Sequence, residues 1–282
     1  MYQLFIDESG TNTLKSAKSI PAHFLIGGTL VHRQSNEFIR RRGDQIKFKY
    51  WGHTNVTFRG VDMRRLTGDF SIFQDVVDPV TKIVIGDNSQ KKADFQSDFL
   101  KYVQGSNFKF ICICVNKDDH IAKTPVIASA VSKGWKVTSF EKQLTRNLFE
   151  QVVKVCVCHL SKAKKKAPAS VQIIVEACNI TQDGELLAIY NQYMFCGLPS
   201  MNMSSKDIRN ILTSISFATK NNRDTETQLA DVGSHFMSLK YRGEDNMLPI
   251  PLNSFETGII KAFDTKGFND KCSVGLTSVR RL

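Results

Sequence analysis

The segment VQIIVE at residues 171–176 constrains the fold more than any other part of the sequence. It is an apolar run that ends in a carboxylate, and such runs are typical of parallel strands buried on both faces. Parallel strands need crossover connections, which are usually helices that cover the sheet. The segment therefore predicts an α/β domain, and a length of 282 residues is enough for a substantial core.

The remaining predicted elements give the chain order. Strands are predicted at residues 2–7, 24–31, 108–115 and 211–217, and helices at 34–48, 92–103, 140–159, 186–195 and 225–241. A loop is expected at about 123–134, while most of 51–105 has no clear pattern and the tail from Pro249 onward is unassigned. Three hairpin-type strands followed by strand–helix repeats predict a mixed five-stranded sheet flanked by helices.

This order also predicts the domain organisation. Residues 1–241 form one domain, with an insertion at about 33–106 between strands two and three. Residues 242–282 form a C-terminal extension that is packed on the domain or partly flexible.

The charge balance bears on partners. There are 38 Lys and Arg residues against 27 Asp and Glu, a formal net charge of +11, which makes polyanions such as DNA or RNA the first candidates. Basic groups interleaved with aromatics can follow a phosphate backbone and stack bases. The block before Tyr50 and Trp51 fits this description and supplies the candidate nucleic-acid-binding residues Arg40, Arg41, Arg42, Lys47 and Lys49. A solvated helix face is the alternative.

Other features bear on location. No apolar run approaches the roughly 20 residues of a membrane span, and strand-like residues from Tyr2 leave no room for a signal peptide. Four of the seven cysteines occur as C-x-C within apolar runs, which favours reduced core thiols. We therefore expect a cytoplasmic protein with no membrane partner.

Carboxylates end two predicted strands, at Asp7 and Glu176. If these strands are parallel neighbours, both side chains emerge at the same edge of the sheet. The helix at 225–241 presents Gln228, Asp231 and His235 on one face, because their spacings are 3 and 4. Oxygen ligands of this kind suit Mg²⁺ or Mn²⁺, and two such ions roughly 3.5–4 Å apart can activate a water for phosphodiester hydrolysis. Carboxylates within about 5 Å of a common point would fit that spacing.

Each acid has a plainer interpretation. Asp7 could cap the turn at Ser9 and Gly10, Glu176 could pair with a basic group, and Asp231 could be solvated. His235 could be a metal ligand, a proton shuttle or a packed core residue. Other chemistries lose support because the sequence has no G-x-x-x-x-G-K-[ST], no G-x-G-x-x-G after a strand and no G-x-S-x-G.

Two motifs carry a family resemblance. FIDESG at residues 5–10 and QLADVGSHF at 228–236 resemble a large family of uncharacterised proteins, catalogued as a domain of unknown function and similar to ribonuclease-H-like nucleases. The resemblance covers about residues 2–241. It implies a ribonuclease-H-like fold in which Asp7, Glu176 and Asp231 hold the metal ions and act in catalysis, with Glu8 and Gln228 in support.

One departure concerns the insertion. The family pattern often has a segment like E-x-H-x-x-D between strands two and three, and here residues 57–62 retain only Asp62. Asp62 is therefore a supporting candidate, and Arg59 could instead contact phosphate. Two functions follow as expectations: a nuclease that uses carboxylate-held Mg²⁺ or Mn²⁺, or a non-catalytic nucleic-acid- or protein-binding module on a decayed nuclease fold.

Overall fold

The computed structural model describes residues 1–14, 23–163, 169–219, 225–248, 250–267 and 279–281. Its strands are β1 (Tyr2–Ser9), β2 (His23–His32), β3 (Val76–Val77), β4 (Val84–Gly86), β5 (Phe108–Asn116), β6 (Val171–Glu176), β7 (Leu212–Ala218) and β8 (Val279–Arg281). Its helices are α1 (Arg33–Trp51), α2 (Gly60–Arg65), α3 (Ser89–Gly105), α4 (Lys117–Lys123), α5 (Pro125–Ser132), α6 (Thr138–Ala163), α7 (Ile180–Cys196), α8 (Ser205–Arg209), α9 (Thr225–Glu244) and α10 (Ser254–Lys266). Short 3₁₀ helices lie at Gly68–Phe73 and Pro199–Met201.

The central sheet has the strand order β7-β6-β1-β2-β5-β8. β2 runs antiparallel to both β1 and β5, whereas β1, β6 and β7 are mutually parallel. The prediction of a mixed five-stranded sheet flanked by helices is confirmed for β7-β6-β1-β2-β5. A short sixth strand, β8, adds to β5 in parallel and was not predicted.

Helices cover both faces of the sheet, and each face has its own hydrophobic core. One core joins the sheet to α6 and α7, and the other joins it to α1, α3, α9 and α10. The period of two in β1 assigns its residues to these cores: Leu4 and Ile6 belong to the first, and Phe5 to the second. By the same alternation, Asp7 faces the α9 side of the sheet and Glu8 faces the α6 side.

The region between β2 and β5 holds α1, α2, a 3₁₀ helix, the β3–β4 hairpin and α3. Its centre is a cluster of aromatic rings with centroids 4.8–6.5 Å apart, formed by Tyr50, Trp51, Phe58, Phe70, Phe73, Phe95 and Phe99. These rings come from the end of α1, the segment before α2, a 3₁₀ helix and α3 rather than from one amphipathic face. For that reason most of residues 51–105 showed no periodicity in the sequence.

The predicted loop at 123–134 is wrong, because α4 and α5 occupy most of it. Asn116 caps α4 by accepting hydrogen bonds from the backbone N–H groups of Asp118 and Asp119, and Pro125 is the first residue of α5. These two helices are only 7 and 8 residues long, too short for a helical period to stand out.

The predicted C-terminal extension contains α10, which packs against α3 and α9. A capping box between Asn253 and Glu256 begins this helix. Residues 249, 268–278 and 282 of the extension lie outside the described part of the chain.

Within the described ranges, no helix is long and apolar enough to cross a membrane. Cys112, Cys114 and Cys156 are buried free thiols, as the C-x-C pattern predicted. Cys158 differs from that expectation because it takes part in a disulfide.

Candidate active site

The ends of β1 and β6 bring two carboxylates together. The parallel register pairs Ile6 with Val175, so the next step along each strand places Asp7 beside Glu176. Neighbouring strands lie about 4.8 Å apart, and both side chains leave the sheet on the face that α9 covers. The predicted convergence of these acids at one sheet edge therefore follows from the register.

Helix α9 brings Asp231 to the same edge. The helix lies close to β1 and β2, and the Ser234 hydroxyl donates a hydrogen bond to the backbone oxygen of Asp7 at 3.4 Å. Gly27 in β2 permits this approach, since a Cβ atom there would lie 2.1 Å from Ser234 Oγ. A glycine in the strand thus allows the helix to sit close enough for Asp231 to reach Asp7.

Asp7 and Asp231 interact directly. Burial raises the pKa of Asp7 well above its ordinary range, and the charges of Asp231 and Glu176 raise it further. A side-chain hydrogen bond between the two aspartates raises the pKa of Asp7 and lowers that of Asp231. The two aspartates therefore form a coupled pair in which burial and the neighbouring negative charges disfavour the ionised form of Asp7.

Asp231 and Gln228 also hold the backbone that leads into α2. Asp231 Oδ2 accepts a hydrogen bond from the Gly60 N–H at 2.8 Å, and Gln228 Oε1 accepts one from the Phe58 N–H at 2.9 Å. Burial raises the pKa of Asp231, while the Gly60 N–H, the Asp7 bond and the charge of Arg59 lower it. Both side chains are thus fixed in place, which orients Asp231 toward the strand ends.

His235 and Asp62 lie beside the three acids Asp7, Glu176 and Asp231. His235 packs against Gly60, and a Cβ atom added to Gly60 would lie 2.5 Å from the Cβ atom of His235. Burial, followed by the charges of Arg64, Arg242 and Arg65, lowers the pKa of His235 to about 4, so its imidazole is neutral at pH 7. Asp62 accepts a hydrogen bond from the Thr67 hydroxyl at 2.7 Å, and its charge raises the pKa of Asp231.

Sequence reasoning missed the arginines around His235. Arg64 is paired with Glu256 at 2.7 Å, and the charge of Arg64 helps to lower the pKa of Arg242, after burial. The spacing of seven residues between His235 and Arg242 on one helix was the available signal. The position of Arg64 and Arg65 depends on how α2 packs on α9, which no local pattern encodes.

The predicted nucleic-acid-binding residues of α1 fall into two groups. Arg40 is exposed, Arg41 is paired with Glu37 at 2.6 Å, and Arg42 lies over the Phe38 ring at 5.4 Å. Arg40 and Arg41 are exposed, whereas Arg42 is half-buried and its guanidinium lies close to Gly105 of α3. The exposed side chain of Arg59 lies apart from them, close enough to Asp231 to act on its pKa.

The burial of Lys47 contradicts the prediction that it binds nucleic acid, whereas Lys49 is exposed but already ion-paired. Lys47 is fully buried, with its ammonium 3.5 Å from Thr225 Oγ1 and 4.9 Å from the Phe58 ring centroid. A buried ammonium cannot contact a nucleic-acid strand on the surface, so Lys47 serves the core instead. Lys49 is exposed and pairs with Asp98 at 2.6 Å.

The donor set suits a hard divalent cation, although the ligands are not preassembled. Among the residues that the structure describes, no group of three or more His, Cys, Asp or Glu side chains is arranged to hold a metal ion. Asp7 and Asp231 instead interact with each other, and the charge of Glu176 raises the pKa of Asp7 further. Converging carboxylates that repel each other are the environment that Mg²⁺ or Mn²⁺ would stabilise, since both ions prefer oxygen ligands.

Comparison with known proteins found no similarity: no family model matches the chain, and neither a curated protein nor a solved structure matches it. The geometry of the site is therefore the basis for its function.

Proposed function

We propose that this chain is a metal-dependent nuclease with a ribonuclease-H-like fold, which hydrolyses phosphodiester bonds in DNA or RNA. The observation that carries the proposal is the Asp7–Asp231 hydrogen-bonded pair, with the charge of Glu176 acting on it. Three acids from two strand ends and a helix meet where burial makes their repulsion costly. The strand order, with β2 antiparallel between β1 and β5, agrees with that fold.

Each acid has a role in this proposal. Asp7, Glu176 and Asp231 would hold Mg²⁺ or Mn²⁺, which supplies the positive charge that activates water and offsets charge on the leaving oxygen. A bound cation would favour the ionised form of Asp7 and so offset the burial and the negative charges that raise its pKa. Gln228 would hold the backbone that leads into α2 in place, by accepting the hydrogen bond from the Phe58 N–H.

Basic side chains next to the acids support a polyanionic substrate. Arg59 acts on Asp231, while Arg64, Arg65 and Arg242 surround His235. Arg64 is paired with Glu256, yet its charge still acts on Arg242, and a bound phosphate group would offset that repulsion. The substrate strand would therefore run across α2 and the C-terminal half of α9.

A non-catalytic binding module is the second candidate. It is favoured by the hydrogen bonds through which Asp231 and Gln228 hold backbone N–H groups, because a purely structural role would explain both residues. It does not account for Asp7, because a negative charge at this position, beside Glu176, destabilises the folded protein.

Cleavage of labelled single- and double-stranded DNA and RNA, with Mg²⁺ or Mn²⁺, separates the two functions. We expect metal-dependent cleavage by the wild type, loss of cleavage in Asp7→Asn and full activity in Asp94→Asn, a matched change at an exposed site on α3. Salt-sensitive binding without cleavage, equal in all three proteins, would refute the nuclease and favour the binding module.

A further inference from the structure

A cleft of about 530 Å³ opens on the opposite face of the sheet from Asp231. It lies between the N-terminal half of α6 and α7, and Asp7 and Glu176 stand at its edge. This volume is within the range of sites that enclose small ligands. The cleft therefore adjoins the candidate active site while belonging to a different layer of the protein.

The floor of the cleft is apolar. It consists of Ile6 and Ile26 from β1 and β2, Val175 from β6, Phe149 from α6 and Ile189 from α7. These side chains would offer a flat ring the apolar and aromatic contact by which unpaired bases are held.

Amide side chains surround that floor, at Asn12, Gln143, Asn179, Gln182 and Gln192. Asn12 donates through Nδ2 to Thr145, which leaves its Oδ1 as an acceptor. Gln192 accepts through Oε1 from Arg146, which leaves its Nε2 as a donor. Amides pair with the hydrogen-bonding edges of nucleobases in both roles.

The charge of the cleft excludes a phosphate as its main occupant. Six carboxylates line it, against two basic side chains, Lys142 and Arg146. Lys142 is already paired with Glu185 at 2.5 Å, so the walls are net negative. Phosphates belong instead beside the arginines near His235, whereas an uncharged ring fits the cleft.

We propose that this cleft binds an unpaired nucleobase of the substrate strand, next to the phosphodiester presented to Asp7 and Glu176. The proposal rests on the proposed nuclease function and adds that the substrate strand is unpaired at the cleavage site. A base within a duplex is stacked and has its hydrogen-bonding edge occupied, so the preferred substrate is a single strand or a frayed end.

Binding of adenosine monophosphate, compared with ribose phosphate, which lacks the base, tests the cleft without cleavage. Ala188 is exposed on α7 and lines the cleft, so Ala188→Trp would fill it, and Gln192→Met would remove one amide at nearly constant size. Ala122→Trp, at an exposed alanine of α4, is the matched control. We expect adenosine monophosphate to bind at least about tenfold more tightly than ribose phosphate, and both cleft variants to remove that difference.

Cleavage of single-stranded and duplex substrates by the same proteins separates this proposal from the nuclease itself. Equal binding of the two ligands, or base-dependent binding that survives both cleft variants, would overturn the cleft proposal even if metal-dependent cleavage occurs. Base-dependent binding that is lost in both variants, without any cleavage, would uphold the cleft and refute the nuclease.

Discussion

Replacing Asp7 by asparagine should stabilise the metal-free protein, and more so as the pH rises. The new amide would retain the bond from the Glu8 N–H, which Asp7 Oδ1 accepts at 2.8 Å, and its NH₂ group could donate to the Asp231 carboxylate. What the change removes is the negative charge beside Glu176. The variant therefore isolates electrostatic repulsion from the loss of hydrogen bonds.

The strand register sets the magnitude. Two unit charges about 5 Å apart repel by about 3 kcal/mol at an effective dielectric constant of about 20. Partial exposure of both side chains reduces this to about 1–2 kcal/mol. At about 2–4 °C per kcal/mol for a chain of this size, the difference in Tm is measurable.

The sign of the pH dependence follows from the raised pKa of Asp7. Below pH 3.8, the folded and unfolded chains both bind a proton at Asp7, so Asp7 does not reduce the free energy of unfolding there. As the pH rises above 3.8, the unfolded chain releases the proton first, and wild-type stability falls until the folded pKa is passed. The variant lacks this loss, so its advantage should grow with pH and then level off.

Thermal unfolding of wild type, Asp7→Asn and the control Asp94→Asn, from mildly acidic to mildly alkaline pH, provides the assay. Adding millimolar Mn²⁺ should reverse the order by stabilising only proteins that retain Asp7. An Asp7→Asn protein that is less stable at every pH, or whose advantage shrinks as the pH rises, would refute the convergence of charges.

Further predictions concern the surroundings of the acids. Gly60→Ala would bring a Cβ atom within 2.5 Å of His235 Cβ and should cost about 1–3 kcal/mol, measured by denaturant unfolding. The His235 imidazole should stay neutral in an NMR titration until the pH approaches 4. The stability that the neutral, buried imidazole contributes should be lost as the pH falls from 6.5 to about 4. Titration near 6.5 would contradict the burial of His235. Arg242→Gln should weaken single-strand binding and reduce the slope of log K against log salt by about 0.7, whereas an unchanged slope would exclude a phosphate contact. Lys47→Met should leave that slope unchanged because the ammonium is buried, so a reduced slope would show that it reaches the strand.

The parts of the fold predicted from sequence are those with strong local patterns. The apolar runs of β1 and β6 predicted both strands, and their parallel pairing was the condition under which Asp7 and Glu176 would share an edge, a condition that the register meets. The spacing of Asp231 within α9 predicted that it could join them. These inferences succeed because burial on both faces of a parallel strand leaves a continuous signature in the sequence.

The remaining parts depend on contacts between distant segments. The aromatic cluster of the insertion, the burial of Lys47 beneath Phe58 and the addition of β8 to β5 arise from tertiary packing. The interaction between Asp7 and Asp231 depends on Gly27 and Ser234, whose close approach no spacing rule predicts. Tertiary packing also places Arg64 and Arg65 near His235.

Binding of Mn²⁺ measured by electron paramagnetic resonance tests the central claim most directly, because it reports the metal without requiring a substrate. The wild type should bind one or two ions, while Asp7→Asn, Glu176→Gln and Asp231→Asn should each lose at least one, and Asp94→Asn should retain them all. Absence of Mn²⁺ binding at millimolar concentration, or equal binding in all five proteins, would contradict the proposal that these three acids form a metal centre.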